Sequence, residues 1–295
     1  MSTAVRRGEQ SGSAHPSAHG APLLRLLAAE LRWVLRRPRT LVMLGVFASI
    51  PVLIAIGVRV ADRSAGPRAG LIGAIAGNGL VLPIAAMTLS LALLLPLAVA
   101  MAAADAIAGE SAHGTLRGLL LSPVGRLRLV GMKAFGVLVV ATLATTAIAV
   151  VGVLAGLIIV GGAAASPPTP QLVTLSGTTT GLGSAVGRVA LVTGWTIGQL
   201  AAVGAVALAI SAVTEHPLVV LAAVLGGLIV FGVLGAIPAL DWLQPWLLTN
   251  GWTASVDALR DPLPFDDLAE SSLRALCYIA VGGGVAVFRM LRRDA

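Results

Sequence analysis

Six stretches of the chain are apolar enough to be membrane spans, at about 40–58, 79–104, 133–160, 189–213, 217–237 and 272–288. The first five hold no Asp, Glu, Arg or His; Lys133 stands at the very lip of the third. Each is close to or above the roughly 20 residues a helix needs to cross a hydrocarbon layer about 30 Å thick. The sixth carries Arg274 near one end, which requires that side chain to snorkel to the headgroups. The pattern predicts an all-α polytopic membrane protein with six transmembrane helices. The start of the second span is ambiguous, because Ala69 to Ala104 is one uncharged stretch. Its Gly-rich first part, Leu71 to Asn78, reads either as a short outer helix or as a re-entrant turn. Pro83 and Pro96 are expected to kink the span proper, which neighbouring helices tolerate in lipid.

Before the first span the pattern changes twice. Residues 1–22 are Ser, Gly, Ala, Arg and His without an apolar centre, the composition of a disordered tail and not of a signal peptide. From residue 23 onward the chain reads as one transmembrane domain, 23–295. It begins with Leu23, Leu27, Leu31 and Val34 on one helical stripe, while Arg25, Arg32 and Arg36 fall mostly on other faces. This predicts an N-terminal interfacial amphipathic helix, ended by Pro38, with Trp33 at headgroup depth. A plain positively charged flank of the first span is the other reading. The Gly-rich run Gly181–Gly187 follows no evident strand and is expected to be a flexible outer loop.

Composition narrows the class. Of 295 residues, 57% are hydrophobic and 11% charged, and the mean hydropathy is +0.95. Soluble domains carry about 25% charged residues and disordered chains are poor in apolar ones, so both are excluded. Twenty bases against 13 acids give +7. In a membrane protein this surplus reflects positively charged cytoplasmic loops, and no nucleic-acid partner is expected. With both termini cytoplasmic, 14 bases fall inside and 6 outside, the latter being Arg59, Arg63, Arg68, Arg188, Arg260 and Arg274. The three arginines after the first span run against this bias but are outvoted. Trp242, Trp246 and Trp252 gather after the fifth span, as in an outer interfacial belt. The expected location is the plasma membrane, as a multi-pass protein in contact with lipid. Cys277, the one cysteine, can form no intrachain disulfide.

The spans are as informative for what they lack. The four histidines, His15, His19, His113 and His216, all lie in tails or loops, and no carboxylate lies inside a span. Ion-coupled carriers usually keep such groups at depth, and intramembrane hydrolases need a base or ligand set there. No catalytic residue, metal ligand or cofactor-binding residue is expected in this chain. Nor does it hold a phosphate-binding loop, which needs Gly-Lys-Ser/Thr: Lys133, the only lysine, stands between Met132 and Ala134. The polar residues within the spans are mainly Thr88, Ser90, Thr142, Thr145, Thr146, Thr193, Thr196, Gln199 and Ser211. A passage lined this way suits an amphiphilic or hydrophobic cargo, although such hydroxyls also bond their own helix backbone. Gly152/Gly156 and Gly194/Gly198 permit close helix approach, within one chain or between copies. Glu215-His216-Pro217 reads as a short cytoplasmic turn.

The connection between the second and third spans is longer than a simple hairpin requires. It runs from Asp105 through Glu110, Gly114, Thr115, Leu116, Arg117, Leu119, Leu120, Ser122, Pro123 and Arg126 to Lys133. Glu110 suits the end of a first helical piece and Gly114 a sharp reversal. Ser122 followed by Pro123 is a good helix start. Arg126, Arg128 and Lys133 label the inner interface; taken alone, the two arginines read equally well as positive-inside anchors. The string Glu-x3-Gly-Thr-Leu-x2-Leu-Leu-x-Ser-Pro-x2-Arg-x6-Lys resembles the ABC-2 type transporter permeases, the membrane subunits of many bacterial ABC exporters. The helix before the first span, the six spans and the cytoplasmic ends fit the same family.

That resemblance implies a permease driven from outside. The loop would form a coupling helix docked in a cleft of a separate ABC ATPase subunit. Two ATPases would serve two permease copies, the second copy identical to the first. ATP and magnesium would then sit on the partner, not on this chain. Two readings from other classes remain beside it, a non-transporting membrane scaffold or assembly factor and an ion-coupled carrier.

Overall fold

The computed structural model describes residues 31–32, 36, 38–62, 78–109, 126–160, 171–174, 176 and 178–292. Five helices among them are long and apolar enough to cross a membrane. They are α1 (Pro38–Asp62), α4 (Arg126–Ala155, extended by a π-helix at Gly156–Val160), α5 (Leu182–Ser211), α6 (Pro217–Gly235) and α7 (Asp266–Arg292). The remaining span is a bent pair, α2 (Leu82–Leu91) and α3 (Leu94–Ala104), set 54° apart. A 3-10 turn at Gly79–Val81 leads into α2 and a π-helix at Asp105–Gly109 ends α3. The architecture is that of an all-α polytopic membrane protein with six spans. Each expected stretch falls on one of these elements, although 189–213 and 217–237 each run two residues past the end of their helix; the first, third, fourth and sixth helices extend beyond the apolar stretch at one or both ends.

The bend in the second span follows from Pro96. Proline has no N–H to give to the carbonyl four residues back, and its ring crowds that carbonyl, which belongs to Ala92. The chain leaves the helix at Leu93 (φ −151°, ψ −48°) and restarts with Leu97 N–H donating to Leu93 O at 3.0 Å. Pro83, expected to kink the span, instead lies in the first turn of α2, where no intrahelical donor is needed. Asn78 caps the turn before it, its side chain accepting from Leu80 N–H at 3.0 Å.

This bent span is the centre of the protein. Leu82, Ile84, Met87, Leu91, Leu95 and Ile107 are all fully buried, packed among α4, α5 and their neighbours. By contrast α1, α6 and α7 present Val42, Leu53, Leu218, Ile229 and Leu273 outward, the bare apolar surface a membrane helix shows to lipid. Lipid tails are as apolar as leucine, so these helices must be held by close packing. The tightest approach joins Gly79 and Gly156: a Cβ on Gly79 would come within 2.1 Å of the Gly156 carbonyl oxygen, and the reverse within 2.0 Å. One turn away a Cβ on Gly152 would meet the Pro83 backbone at 2.8 Å. The Gly152/Gly156 pair therefore packs within the chain. At Gly194 and Gly198 nothing lies within 4 Å of such a Cβ.

Alternating helix directions give the molecule two ends. At one, a hairpin of β1 (Gln171–Val173) and β2 (Thr179–Gly181) pairs antiparallel with Leu172 opposite Thr180. It feeds directly into α5, so the run Gly181–Gly187 follows a strand and its residues from Leu182 on are helical, not a loop. Two 3-10 helices, Pro238–Trp246 and Leu248–Leu259, lie at the same end. Arg188 of α5 pins the second of them: its Nη1 donates to Ala258 O at 2.8 Å and Arg260 O at 2.5 Å, and its Nη2 approaches Asp261 Oδ1 at 3.4 Å. Asp261 also accepts from Thr178 Oγ1 at 2.8 Å, which ties in the hairpin. Two side-chain expectations are corrected here. Arg274 does not snorkel; its guanidinium is buried, donating to Leu247 O at 3.1 Å and Glu270 Oε1 at 2.6 Å. Trp242 and Trp246 are exposed as a belt requires, but Trp252 is buried in the core.

Gly156→Ala should lower the thermal midpoint of the detergent-purified protein by the equivalent of about 1–3 kcal/mol, the usual cost of overpacking. Gly194→Ala, with open space around it, should leave the midpoint unchanged or slightly raised.

Candidate functional site

The described residues stop at Gly109 and resume at Arg126, on either side of the loop singled out in the sequence. Glu110, Gly114, Thr115, Leu116, Arg117, Leu119, Leu120, Ser122 and Pro123 lie outside the described residues, as do Leu23, Leu27, Trp33 and Val34 of the amphipathic stripe. Leu31 is described, helical and exposed. The two roots of the loop are therefore where the site can be built.

The first root is the π-helix Asp105–Gly109. Asp105 Oδ2 accepts from Arg39 Nη1 at 2.6 Å, across to the first turn of α1. Three residues further, Ala108 N–H donates to Ser211 Oγ at 2.9 Å; Ser211 is fully buried and is the last residue of α5. The second root is Arg126, the first residue of α4, whose Nη1 donates to Leu291 O at 2.8 Å near the end of α7. Both roots, the start of α1 and the ends of α5 and α7 thus meet at one end of the molecule. The turn after α5 lies there too, with Glu215 and His216 exposed and Pro217 in the first turn of α6.

The strengths of these ties differ. The side chains of Arg39 and Asp105 are 56% and 35% exposed, and ion pairs of that kind contribute less than about 1 kcal/mol. Ser211 satisfies a buried backbone N–H, and losing such a partner costs about 1–3 kcal/mol. Lys133 is buried against its neighbours, about 10 Å along α4 from Arg126 at 1.5 Å per residue.

Sequence reasoning named Arg126 and Lys133 but passed over Arg39, Asp105 and Ser211 as a set. A signal was present for one of them: Asp105 is the residue that ends the uncharged stretch from Ala69. Its partner, 66 positions away, carries no such mark.

The span polar groups serve mainly the fold. Thr88, Thr142, Thr145 and Thr193 each donate to the carbonyl four residues back, at 2.7–2.9 Å. Thr88 Oγ1 also lies 2.9 Å from Ser255 Oγ, joining α2 to the second 3-10 helix. Ser271 is a knot between α5 and α7. Its Oγ accepts from Trp195 Nε1 at 3.0 Å and its carbonyl from Gln199 Nε2 at 3.2 Å. Among the described residues no three His, Cys, Asp or Glu side chains gather as a metal site.

A model of the family described as ABC-2 family transporter protein matches residues 26–213, about two thirds of the chain. That stretch runs through α5 and contains both roots of the loop. No curated protein matches the sequence.

Ser271→Ala strands the buried Trp195 N–H and should lower stability by about 1–3 kcal/mol. Thr142→Val, which removes only a bond to its own helix, should change it by less than about 0.5 kcal/mol. Thermal unfolding followed by tryptophan fluorescence compares the two.

Proposed function

The chain belongs to the ABC-2 family of transporter proteins, membrane transport components that generally work with an ABC ATPase, and on that premise we propose that it is a permease worked through the loop of residues 110–125. Two copies of the permease with two ATPase subunits form the working unit, and ATP with magnesium belongs to the ATPases. The loop end of the molecule faces the cytoplasm, as the excess of bases there favours, and the cargo moves outward. The observation that supports the reading is the placement of the two roots that flank the motif-bearing loop. Its two roots, Asp105–Gly109 and Arg126, are each bonded to another span at a single end of the protein. A displacement of the loop is thereby delivered to spans one, four and six, not only to the two it connects.

The mechanism is a shift between two populations. Moving the permease from about 1:99 to 99:1 between inward and outward states requires about 5.5 kcal/mol of differential binding. Closure of the paired ATPases around ATP supplies energy of that order, and the docked loop passes it on as movement. The cargo is amphiphilic or hydrophobic: the apolar stretches of the spans offer hydroxyls and the Gln199 amide but no carboxylate or histidine to dehydrate and hold an ion.

Purification from membranes should bring down a subunit containing a phosphate-binding loop, and the chain separated from that subunit should hydrolyse no ATP. A scaffold or an ion-coupled carrier would purify without one. Glu110→Ala and Gly114→Val should insert normally but lower the transport obtained per ATP hydrolysed by roughly 5- to 150-fold, the span of typical coupling free energies. The check is ATP-driven accumulation of an amphiphilic fluorophore in inverted vesicles. Wild-type accumulation in both variants would count against the assignment.

A further inference from the structure

The end of the second span changes character over its last five residues. Asp105–Gly109 forms a π-helix, a geometry that is rare, occurs mostly as single turns and gathers at functional sites. This turn lies immediately before the loop and is held from two sides. On one side Asp105 Oδ2 takes a hydrogen bond from Arg39 Nη1 at 2.6 Å. On the other, Ala108 N–H donates to Ser211 Oγ at 2.9 Å in a buried site. Arg39 lies in the first turn of α1, directly after Pro38. Ser211 closes α5. One short turn therefore links the root of the loop, the start of the first span and the fourth span.

The two ties are unlike in kind. The ion pair is half exposed, so water and salt compete for it and it can release and re-form without disturbing the core. The serine bond is buried, and breaking it leaves a backbone donor without water to replace its partner. A turn fixed on one side and releasable on the other swings about the fixed side.

We propose that the Asp105–Gly109 π-helix is the transmission turn of this permease, pivoting on Ser211 of the fourth span and drawing the first span with it through the Arg39–Asp105 ion pair. Arg39, Asp105 and Ser211 are thus positioning residues for coupling. The proposal rests on the reading that the loop of 110–125 receives the ATPase.

The test uses the full chain with its co-expressed ATPase in proteoliposomes, in a Cys277→Ala background. Spin labels at Val60 of α1 and Val186 of α5, both exposed at the hairpin end, report the separation of those spans. In the parent complex ATP should change this separation. Arg39→Gln and Asp105→Asn should reduce the change per ATP hydrolysed at least about fivefold, with the thermal midpoint unaltered. The exchanged pair, Arg39→Asp with Asp105→Arg, should restore it. Ser211→Ala should reduce it, and Ser211→Thr, which keeps the hydroxyl, should retain it. Full movement in the single variants overturns the proposal. So does loss of movement that tracks a fall in thermal midpoint and is not restored by the exchange, since that describes a staple and not a transmitter. If no ATPase binds the parent chain, the reading of the loop and this proposal fall together; if the ATPase binds and moves the labels in every variant, only the proposal falls.

Discussion

Hydrocarbon offers a chain no hydrogen bonds and little reward for burying one leucine against another, and the structure is organised by that poverty. Backbone polar groups must be satisfied within helices, and the helices must hold each other by contact alone. The approach of Gly79 to Gly156 is the clearest result: two backbones meet where neither residue has a side chain to keep them apart. Around it the bent second span fills the interior, while α1, α6 and α7 turn their apolar sides outward. Polar bonds between spans are few, and most lie toward the two ends. Arg188 and Arg274 gather the hairpin end, and Arg39, Ser211 and Arg126 gather the loop end.

Much of this fold was legible in the sequence, because length and apolarity are local properties. Five of the six spans could be placed from runs almost free of charge and the sixth from an apolar run that carries Arg274 near one end, and Pro96 marked the break in the second. What could not be read depended on partners far along the chain. The hairpin at residues 171–181 is stabilised by pairing and by Asp261, so the glycines from 181 to 187 looked like a loop until α5 was seen to begin among them. Arg274 looked like a charge in search of headgroups; the carbonyl of Leu247 meets it instead. Trp252 had the composition of a belt residue and the position of a core one.

The candidate site divides the same way. The motif from Glu110 to Pro123 was visible as a string of residue types, and the family match places the chain where that string had pointed. The sequence also marked Arg126 and Lys133, but as interface charges. The structure gives Arg126 the end of α7 as a partner and buries Lys133. Arg39, Asp105 and Ser211 are unremarkable one at a time, and only three-dimensional proximity makes them a group.

The missing N–H at Pro96 has a mechanical corollary. A continuous helix is stiff along its axis, because each rung of its hydrogen-bond ladder braces the next. The second span lacks that continuity at Ala92–Leu93, so it behaves as two struts meeting at a joint. Load applied to the lower strut is not carried straight up to the glycine contact at the far end. It is shed sideways into the helices that grip the lower strut, and those are the third, fourth and fifth spans along its length and the first at its foot.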